Sequence, residues 1–219
     1  MTHGRSIIAI VEGRGEVKAA PGLIRRVLGE RLRRYDISLL RPIRANGEPD
    51  LVKRFEVHLG HAIDDNADAI LVLVDADDEC PVEEARSLAD SASALNLGVP
   101  VAVVYAKCEY ETWLISSLSE GTGEGIRARL NIASSVNAPE DVEGIRGAKE
   151  WLEGRMPQNQ GYKETSDQEN LTHHIDMELT YRRSRSFRRL CHAVEELVRG
   201  IDESEVVVTP MLGGEGRTG

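Results

Sequence analysis

Acidic residues follow two apolar runs of the sequence, at the positions where a metal site would need them. They are Glu12 and Glu16 after the first run and Asp75 and Asp77 after the second. Both runs are typical of buried strands in a parallel sheet, and such sheets bind ligands at the carboxyl ends of their strands. Converging carboxylates repel one another unless a hard cation such as Mg²⁺ or Mn²⁺ lies between them. The pattern predicts metal-dependent phosphoryl transfer, with Glu12, Asp75 and Asp77 as metal ligands.

The first acidic pair lies in the motif Val11-Glu12-Gly13-Arg14-Gly15-Glu16. Gly13 and Gly15 predict a tight turn from strand to helix with positive φ, a conformation that glycine adopts at little cost. Glu16 then falls in the first helical turn, where an acid also complements the helix dipole, so a purely structural role is open. For Glu12 the alternative is a strand-end acid that points to solvent.

The second acidic pair forms the step Asp75-Ala76-Asp77. Side chains alternate along a strand, so both carboxylates lie on the same side of the backbone, an arrangement that suits one or two divalent ions. The next two acids, Asp78 and Glu79, are better interpreted as residues that precede a helix beginning at Pro81.

A third acidic segment follows the fourth predicted strand. Glu109 and Glu111 in Cys108-Glu109-Tyr110-Glu111-Thr112-Trp113-Leu114 could supply outer ligands or orient a metal-bound water, and we count both as candidate catalytic residues. The alternative is that they are acids at a helix N-terminus, with Trp113 and Leu114 in the core.

A basic segment lies near the end of an otherwise acidic chain. Five arginines fall between residues 182 and 189, and the candidate nucleic-acid contacts among them are Arg182, Arg183, Arg185 and Arg188. Arginine binds phosphate in a bidentate manner and stacks on bases. The alternative is a solvated helix face. Lys163, in the polar segment 161–168, is a candidate for stabilising charge in the transition state.

The elements that position these residues alternate between strand and helix up to about residue 119. Apolar runs predict strands at 7–11, 37–40, 70–74 and 99–105, and helical spacing predicts helices at 16–34, at 51–62 and from Pro81 onward. This βαβ alternation predicts an α/β fold with a parallel sheet flanked by helices. We therefore divide the chain into a core at 1–119, a helical extension at 120–200 and a mobile tail at 201–219.

Composition narrows the classes of function. The 219 residues carry 27 Lys or Arg against 37 Asp or Glu, a net charge of −10, which argues against a chain-wide grip on nucleic acid but not against a local basic groove. The three cysteines form no C-x-x-C motif, and the histidines are not spaced as a zinc site. No run approaches the roughly 20 apolar residues of a membrane span, and the first residues lack the apolar stretch that is expected of a secretory signal. We expect a cytoplasmic protein.

Together, these residues resemble the Toprim domain of topoisomerases, bacterial primases and nucleases of the overcoming-lysogenization-defect type. More closely, the chain resembles a bacterial Toprim-like family of unknown function. The resemblance covers roughly residues 6–190 and is carried by the segments 10–16, 72–77, 109–114, 162–168 and 185–187. Gly15 departs from the larger polar residue that relatives often have there, which leaves the start of the first long helix open.

The resemblance implies a Toprim-like sheet and Mg²⁺-dependent cleavage of a nucleic-acid backbone. Glu12 would be a general acid or base or a metal ligand, and Asp75 and Asp77 would be metal-binding aspartates. Glu16, Glu109 and Glu111 carry over as family positions. Some relatives resemble phage-defence effectors that work with a separate ATPase, so an ATPase partner is expected, and a homodimer is allowed.

Three functional hypotheses follow. The first is a metal-dependent nuclease. The second is a catalytically silent, partner-binding subunit of an ATPase complex, which the net charge of −10 favours over avid DNA binding. The third is a phosphatase or small-nucleotide hydrolase that uses the same carboxylates and for which the arginine cluster would be dispensable.

Overall fold

A parallel β-sheet forms the centre of the computed structural model, which describes residues 5–77 and 80–210. The strands are β1 (Arg5–Val11), β2 (Ile37–Leu39), β3 (Ile43–Arg44), β4 (Ala69–Asp75), β5 (Val101–Ala106) and β6 (Val208–Thr209). Their order is β2-β1-β4-β5-β6, with β3 also pairing with β1. All these pairings are parallel, which confirms the predicted α/β class.

The helices of the described residues are α1 (Glu16–Arg26), α2 (Glu48–Lys53), α3 (Phe55–Asp64), α4 (Pro81–Ala94), α5 (Glu111–Ser116), α6 (Glu124–Leu130), α7 (Ala148–Glu153), α8 (Glu169–Thr172), α9 (Met177–Arg183) and α10 (Arg185–Glu203). A π-helical segment, Val27–Arg31, continues α1, and a second one, Glu164–Gln168, leads into α8. None of these helices combines the length and the apolar character that crossing a membrane requires.

Both faces of the sheet are covered. One face of β1, β4 and β5 packs against α1, α5 and α10, and the other packs against α2, α3 and α4. Since successive side chains of a strand point to opposite faces, the central strands must be apolar at nearly every position. This explains why their sequences are continuous aliphatic runs. Because the strands are parallel, their carboxyl ends, with the candidate acids, lie at one edge of the sheet.

The helix α10 joins the predicted extension to the predicted core. Its buried residues Phe187, Leu190, Val194 and Leu197 recur at helical spacing and pack on the sheet face that also holds residues of β1. The preceding Ser184 caps the helix, because its hydroxyl oxygen accepts a hydrogen bond from the backbone N–H of Phe187 (3.0 Å). Residues of 120–200 and of 1–119 therefore share one hydrophobic cluster.

Several boundaries differ from those predicted. The two-residue strands β3 and β6 were not predicted, because so short a run carries no periodic signal. The predicted helix at 51–62 is divided into α2 and α3 at Arg54, which has φ −115° and ψ 24°. The segment 201–210, within the predicted tail, contains the end of α10 and the strand β6. Residues 211–219, and also Asp78 and Glu79, lie outside the described residues.

Candidate active site

The parallel pairing of β1 with β4 places Glu12 beside Asp75. The register aligns Val11 with Leu73, so the two strands end at nearly the same level. The Glu12 Oε1 accepts a hydrogen bond from the backbone N–H of Asp75 (2.8 Å), and Asp75 Oδ1 accepts one from the backbone N–H of Tyr110 (2.9 Å). The prediction that the first and third predicted strands are neighbours, with their terminal acids together, is confirmed for this pair.

Glu16 and Glu111 lie in the same cluster and are joined by an amide. Glu16 is 5% exposed and Glu111 is fully buried. The Gln168 Nε2 donates to Glu16 Oε1 (2.9 Å) and to Glu111 Oε1 (3.2 Å), while the hydroxyl of Tyr162 also donates to Glu111 Oε1 (2.7 Å). A π-helical segment thus ties the start of α1 to the start of α5.

Three oxygen atoms of this cluster are buried without a hydrogen-bond partner. They are Glu16 Oε2, Glu111 Oε2 and Gln168 Oε1. An unpaired buried oxygen of this kind costs roughly 1 to 3 kcal/mol, more if it is charged, so native structures leave few of them. Their concentration at one place, beside Glu12 and Asp75, is typical of a functional site rather than of a structural core.

A lysine that sequence reasoning missed supplies positive charge to the cluster. The Lys149 Nζ lies 2.7 Å from Glu164 Oε1, and its charge also acts on Glu111 and Asp75. Glu109 holds the backbone of this lysine, because its Oε2 accepts a hydrogen bond from the Lys149 N–H (3.0 Å) at the start of α7. Glu109 is therefore better described as a positioning residue. Lys149 lies 40 residues after Glu109 in the sequence, so only the folded chain brings it to this site.

Burial changes the acidity of the carboxyl groups in this cluster. Burial raises the pKa of Glu12 to about 7, with Glu16 adding to the effect and the Asp75 N–H opposing it. Burial also raises the pKa of Glu111 to about 7, although Lys149 and Tyr162 oppose the change. For Asp75, burial and then the charges of Glu111 and Glu12 raise the pKa above its ordinary value. Burial lowers the pKa of Lys149, but its acidic neighbours outweigh this and keep it charged.

These pKa values predict how stability depends on pH without metal. Between about pH 4.5 and pH 7 the folded protein binds more protons at Glu111 than the unfolded chain does, so the free energy of unfolding falls as pH rises through this window. We expect Glu111→Gln to reduce that fall by about 2 kcal/mol. Urea unfolding in the presence of chelator, at about pH 5 and about pH 8, measures the fall in the free energy of unfolding. The exposed carboxylate variant Glu56→Gln is the control and is expected to keep the wild-type fall. An equal fall in Glu111→Gln would contradict the prediction.

Two predicted site residues are exposed, unlike the buried acids Glu16 and Glu111 of this cluster. Asp77 is exposed, with φ 42°, and its backbone N–H donates to the Cys108 carbonyl (2.9 Å). Within residues 5–77 and 80–210, no group of three or more His, Cys, Asp or Glu side chains is arranged to hold a metal ion, so Glu12, Asp75 and Asp77 do not form a preassembled set. Lys163 is exposed, and its backbone N–H donates to Asp167 Oδ2 (2.9 Å). A catalytic role for Lys163 stays a prediction.

The glycines of the first motif are needed for space, and the predicted positive φ is wrong. Gly15 has φ −66° and ψ −49°, which any residue adopts, and Gly13 is not among the glycines with positive φ. A Cβ at Gly13 would lie 2.1 Å from Glu16 Oε2, and one at Gly15 would lie 2.2 Å from Gln168 Oε1. The glycines therefore let Glu16 and Gln168 approach the backbone closely.

The four candidate arginines divide into two pairs. Arg183 donates to the carbonyls of Ser116, Ala138 and Pro139, among others, and Arg188 donates to those of Tyr181 and Arg182. Both therefore hold the structure together around α9 and α10. Their hydrogen-bond acceptors are neutral carbonyl groups, so these contacts do not cancel the positive charge of the guanidinium groups. Arg182 and Arg185 are exposed, as the nucleic-acid hypothesis requires.

Comparison with known proteins gives a family but no activity. A family model described as a domain of unknown function, DUF4276, matches residues 11–195, which include all the acids above. No curated protein matches the chain. A solved structure of an F420-dependent methylene-tetrahydromethanopterin dehydrogenase, in complex with methylene-tetrahydromethanopterin and coenzyme F420, is 13% identical, with 93% of this chain and 88% of that chain covered and a TM-score of 0.27. So low a score supports no inference about fold or function.

Proposed function

Because the chain belongs to the DUF4276 family, whose function is unknown, we propose its activity from its own residues: it is a metal-dependent nuclease that hydrolyses phosphodiester bonds. The observation that carries the proposal is the meeting of Glu12 and Asp75 at the carboxyl edge of the sheet, with the pKa of both raised by burial. Perturbed carboxyl groups in such a position are characteristic of catalytic sites.

The donor atoms of the cluster are of the chemical type that Mg²⁺ and Mn²⁺ prefer, although, among the described residues, they are not preassembled around an ion position. Both ions bind hard oxygen ligands, and Glu16 and Glu111 each keep a buried carboxylate oxygen without a partner. Glu12 and Asp75 would hold the ion, with Asp77 and Glu16 as further ligands. When bound, the ion would neutralise charge on the phosphate and lower the pKa of a water molecule.

The protein's own groups supply the remaining chemistry. In the alternative arrangement in which Glu12 does not coordinate the ion, its pKa of about 7 in the absence of metal allows it to take a proton near neutral pH and return it, which suits a general acid or base. Lys149 keeps its positive charge beside Glu111 and Asp75, so it limits the repulsion among the acids and favours an incoming phosphate. Gln168 and Tyr162 fix the orientation of Glu16 and Glu111.

The wider setting follows from the resemblance to the Toprim nucleases. We place the activity in the cytoplasm, on a nucleic-acid substrate, in phage defence, together with a separate ATPase partner and in a chain that can form a homodimer. A phosphatase acting on small nucleotides would use the same carboxylates. The exposed arginines Arg182 and Arg185 favour the polymeric substrate.

Incubation of the full chain with DNA and RNA tests this proposal. We expect cleavage of at least one polymer with Mg²⁺ or Mn²⁺ and none after chelation, because the carboxylates need the cation to bind phosphate. Gel electrophoresis of end-labelled single-stranded, duplex and transfer RNA substrates measures it, with and without an ATPase from the same genome. Cleavage that persists in chelator would overturn the metal-dependent mechanism.

The silent, partner-binding alternative is favoured by one observation. Lys149 already provides a cation to the acids, so the cluster can persist without metal. If this alternative holds, Mn²⁺ will not raise the unfolding temperature of the wild-type chain, whereas an occupied metal site raises it in a saturable manner.

A further inference from the structure

A cleft of about 880 Å³ opens between α4, β5 and the start of α10. Val103 and Tyr105 of β5 contribute to its lining, together with Pro81 at the start of α4. Among the described residues, seven cationic side chains line it against two acidic ones, a difference of +5 in a chain whose net charge is −10. A positive cavity in an acidic protein concentrates field and attracts anions locally.

The cations come from three separate parts of the sequence. Arg86 lies on α4, Lys107 follows β5, and the other five are the arginines between 182 and 189. The exposed members include Arg86, Arg182 and Arg185. The buried Nε of Arg189 has no hydrogen-bond acceptor. Sequence reasoning could single out only the arginine run, since Arg86 and Lys107 reach it through the fold.

The two acids that line the cleft within residues 5–77 and 80–210 accept hydrogen bonds from nearby groups of the protein. The Glu143 Oε1 accepts hydrogen bonds from the Ser184 hydroxyl (2.8 Å) and the Ser186 N–H (2.7 Å). The Asp141 Oδ1 accepts one from the Gly144 N–H (3.1 Å). Both carboxylates therefore serve to hold the cleft wall, while the guanidinium groups of Arg86 and Arg185 face no acid among their described contacts.

The segment after β5 connects the cleft to the candidate active site along the chain. Lys107 lines the cleft, and three residues later the Tyr110 N–H donates to Asp75 Oδ1. Three Cα–Cα steps span at most roughly 11 Å. Phosphates of one nucleic-acid strand recur about every 3.4 Å along the helix axis, so this distance corresponds to about three nucleotides.

We propose that this cleft binds the backbone phosphates of a nucleic acid, within a few nucleotides of the phosphate that lies at Glu12 and Asp75. The position of one phosphate at Glu12 and Asp75 rests on the proposed nuclease function. The binding of phosphates in the cleft does not. Arginine recognises phosphate through paired N–H donors, and the spread of cations over α4, β5 and α10 suits several successive phosphates rather than one. Arg86 and Lys107 thereby become nucleic-acid contacts in addition to Arg182 and Arg185.

Binding without cleavage tests the cleft. Fluorescein-labelled single-stranded and duplex oligonucleotides of about 20 nucleotides are titrated with the full chain in chelator, and fluorescence anisotropy is followed between about 50 and 200 mM salt. We expect Arg86→Ala/Arg185→Ala to weaken binding at least about tenfold at low salt. The slope of the logarithm of affinity against that of salt should fall by about 1.5 to 2, since two phosphate contacts are lost.

The matched control removes the same charge elsewhere. Arg25 and Arg33 are exposed and lie outside the cleft, so Arg25→Ala/Arg33→Ala is expected to change affinity less than about twofold. The proposal that the cleft binds nucleic acid is overturned if the two double variants lose affinity equally. It is also overturned if the Arg86→Ala/Arg185→Ala chain binds as wild type, or if the wild-type chain binds none of the oligonucleotides. It is also overturned if poly-glutamate displaces the oligonucleotides at equal charge concentration, because the site would then take an acidic protein segment.

The cleft and the proposed function can fail separately. Cleft-dependent binding with no metal-dependent cleavage would leave the nucleic-acid site standing and remove the nuclease. Metal-dependent cleavage that is unchanged in Arg86→Ala/Arg185→Ala would leave the nuclease standing and remove the cleft.

Discussion

In the Asp75→Asn variant, we expect metal-dependent cleavage to fall roughly 100- to 1000-fold while the chain without metal becomes more stable. Asparagine keeps the oxygen that accepts the Tyr110 N–H, so the local fold is preserved. It removes a carboxylate whose pKa is raised by burial and by Glu111 and Glu12. The loss of that repulsion raises the unfolding temperature at about pH 8 by about 3 °C, whereas the loss of a metal ligand removes activity.

Opposite changes in stability and activity distinguish a functional acid from a structural one. The control is Asp50→Asn, because the Asn46 N–H, the first of several contacts, lowers the pKa of Asp50. That variant is expected to lose stability at neutral pH and to keep cleavage. Differential scanning fluorimetry, with chelator and with Mn²⁺, and cleavage rates measure both. An Asp75→Asn chain that cleaves at the wild-type rate would refute the assignment of Asp75 as a metal ligand.

In the Gly15→Ala variant, we expect a loss of about 2 kcal/mol of stability although the backbone conformation suits alanine. The added Cβ would lie 2.2 Å from Gln168 Oε1 and 3.2 Å from the Cβ of Glu164, so the π-helical segment has to move. Gln168 is fully buried and joins Glu16 to Glu111, which means that it cannot swing away without breaking both hydrogen bonds.

Gly60 offers the matched control. It lies inside the helix α3, and a Cβ there would have no atom within 4 Å. Gly60→Ala is expected to raise stability by about 0.5 to 1 kcal/mol, because alanine favours the helix and restricts the unfolded chain. Urea unfolding compares the two variants. If Gly15→Ala were as stable as Gly60→Ala, the close approach of Gln168 to α1 would be wrong.

The parts of the fold that the sequence predicted are those with strong local patterns. The aliphatic runs of β1, β4 and β5 are long enough to be recognised, and parallel strands place their carboxyl ends at one edge. From these two facts alone Glu12 and Asp75 were expected together, and they are. The positive φ at Gly13 and Gly15 was wrong because a glycine pattern does not distinguish conformational freedom from a lack of space.

The parts that could not be predicted depend on long-range packing. Lys149 has no sequence signal that relates it to Glu111. Gln168 lies in the segment 162–168 that carries the family resemblance, but no local pattern relates it to Glu111, since irregular segments separate the two. The same limit applies to the arginines: whether a guanidinium binds carbonyls, as in Arg183, or faces a cleft, as in Arg185, depends on the neighbours that the fold supplies. Charge composition alone therefore did not reveal that Arg86 lines the cleft.

The bridge from Gln168 to Glu16 has a consequence for protein synthesis. The two residues are 152 positions apart, so a chain on the ribosome has its first acids long before the amide that orients them. Domains complete their packing only when the required segments have emerged. If the proposed nuclease activity holds, we expect none from the nascent chain until most of its length has been made, because Gln168 is not yet in place to orient Glu16.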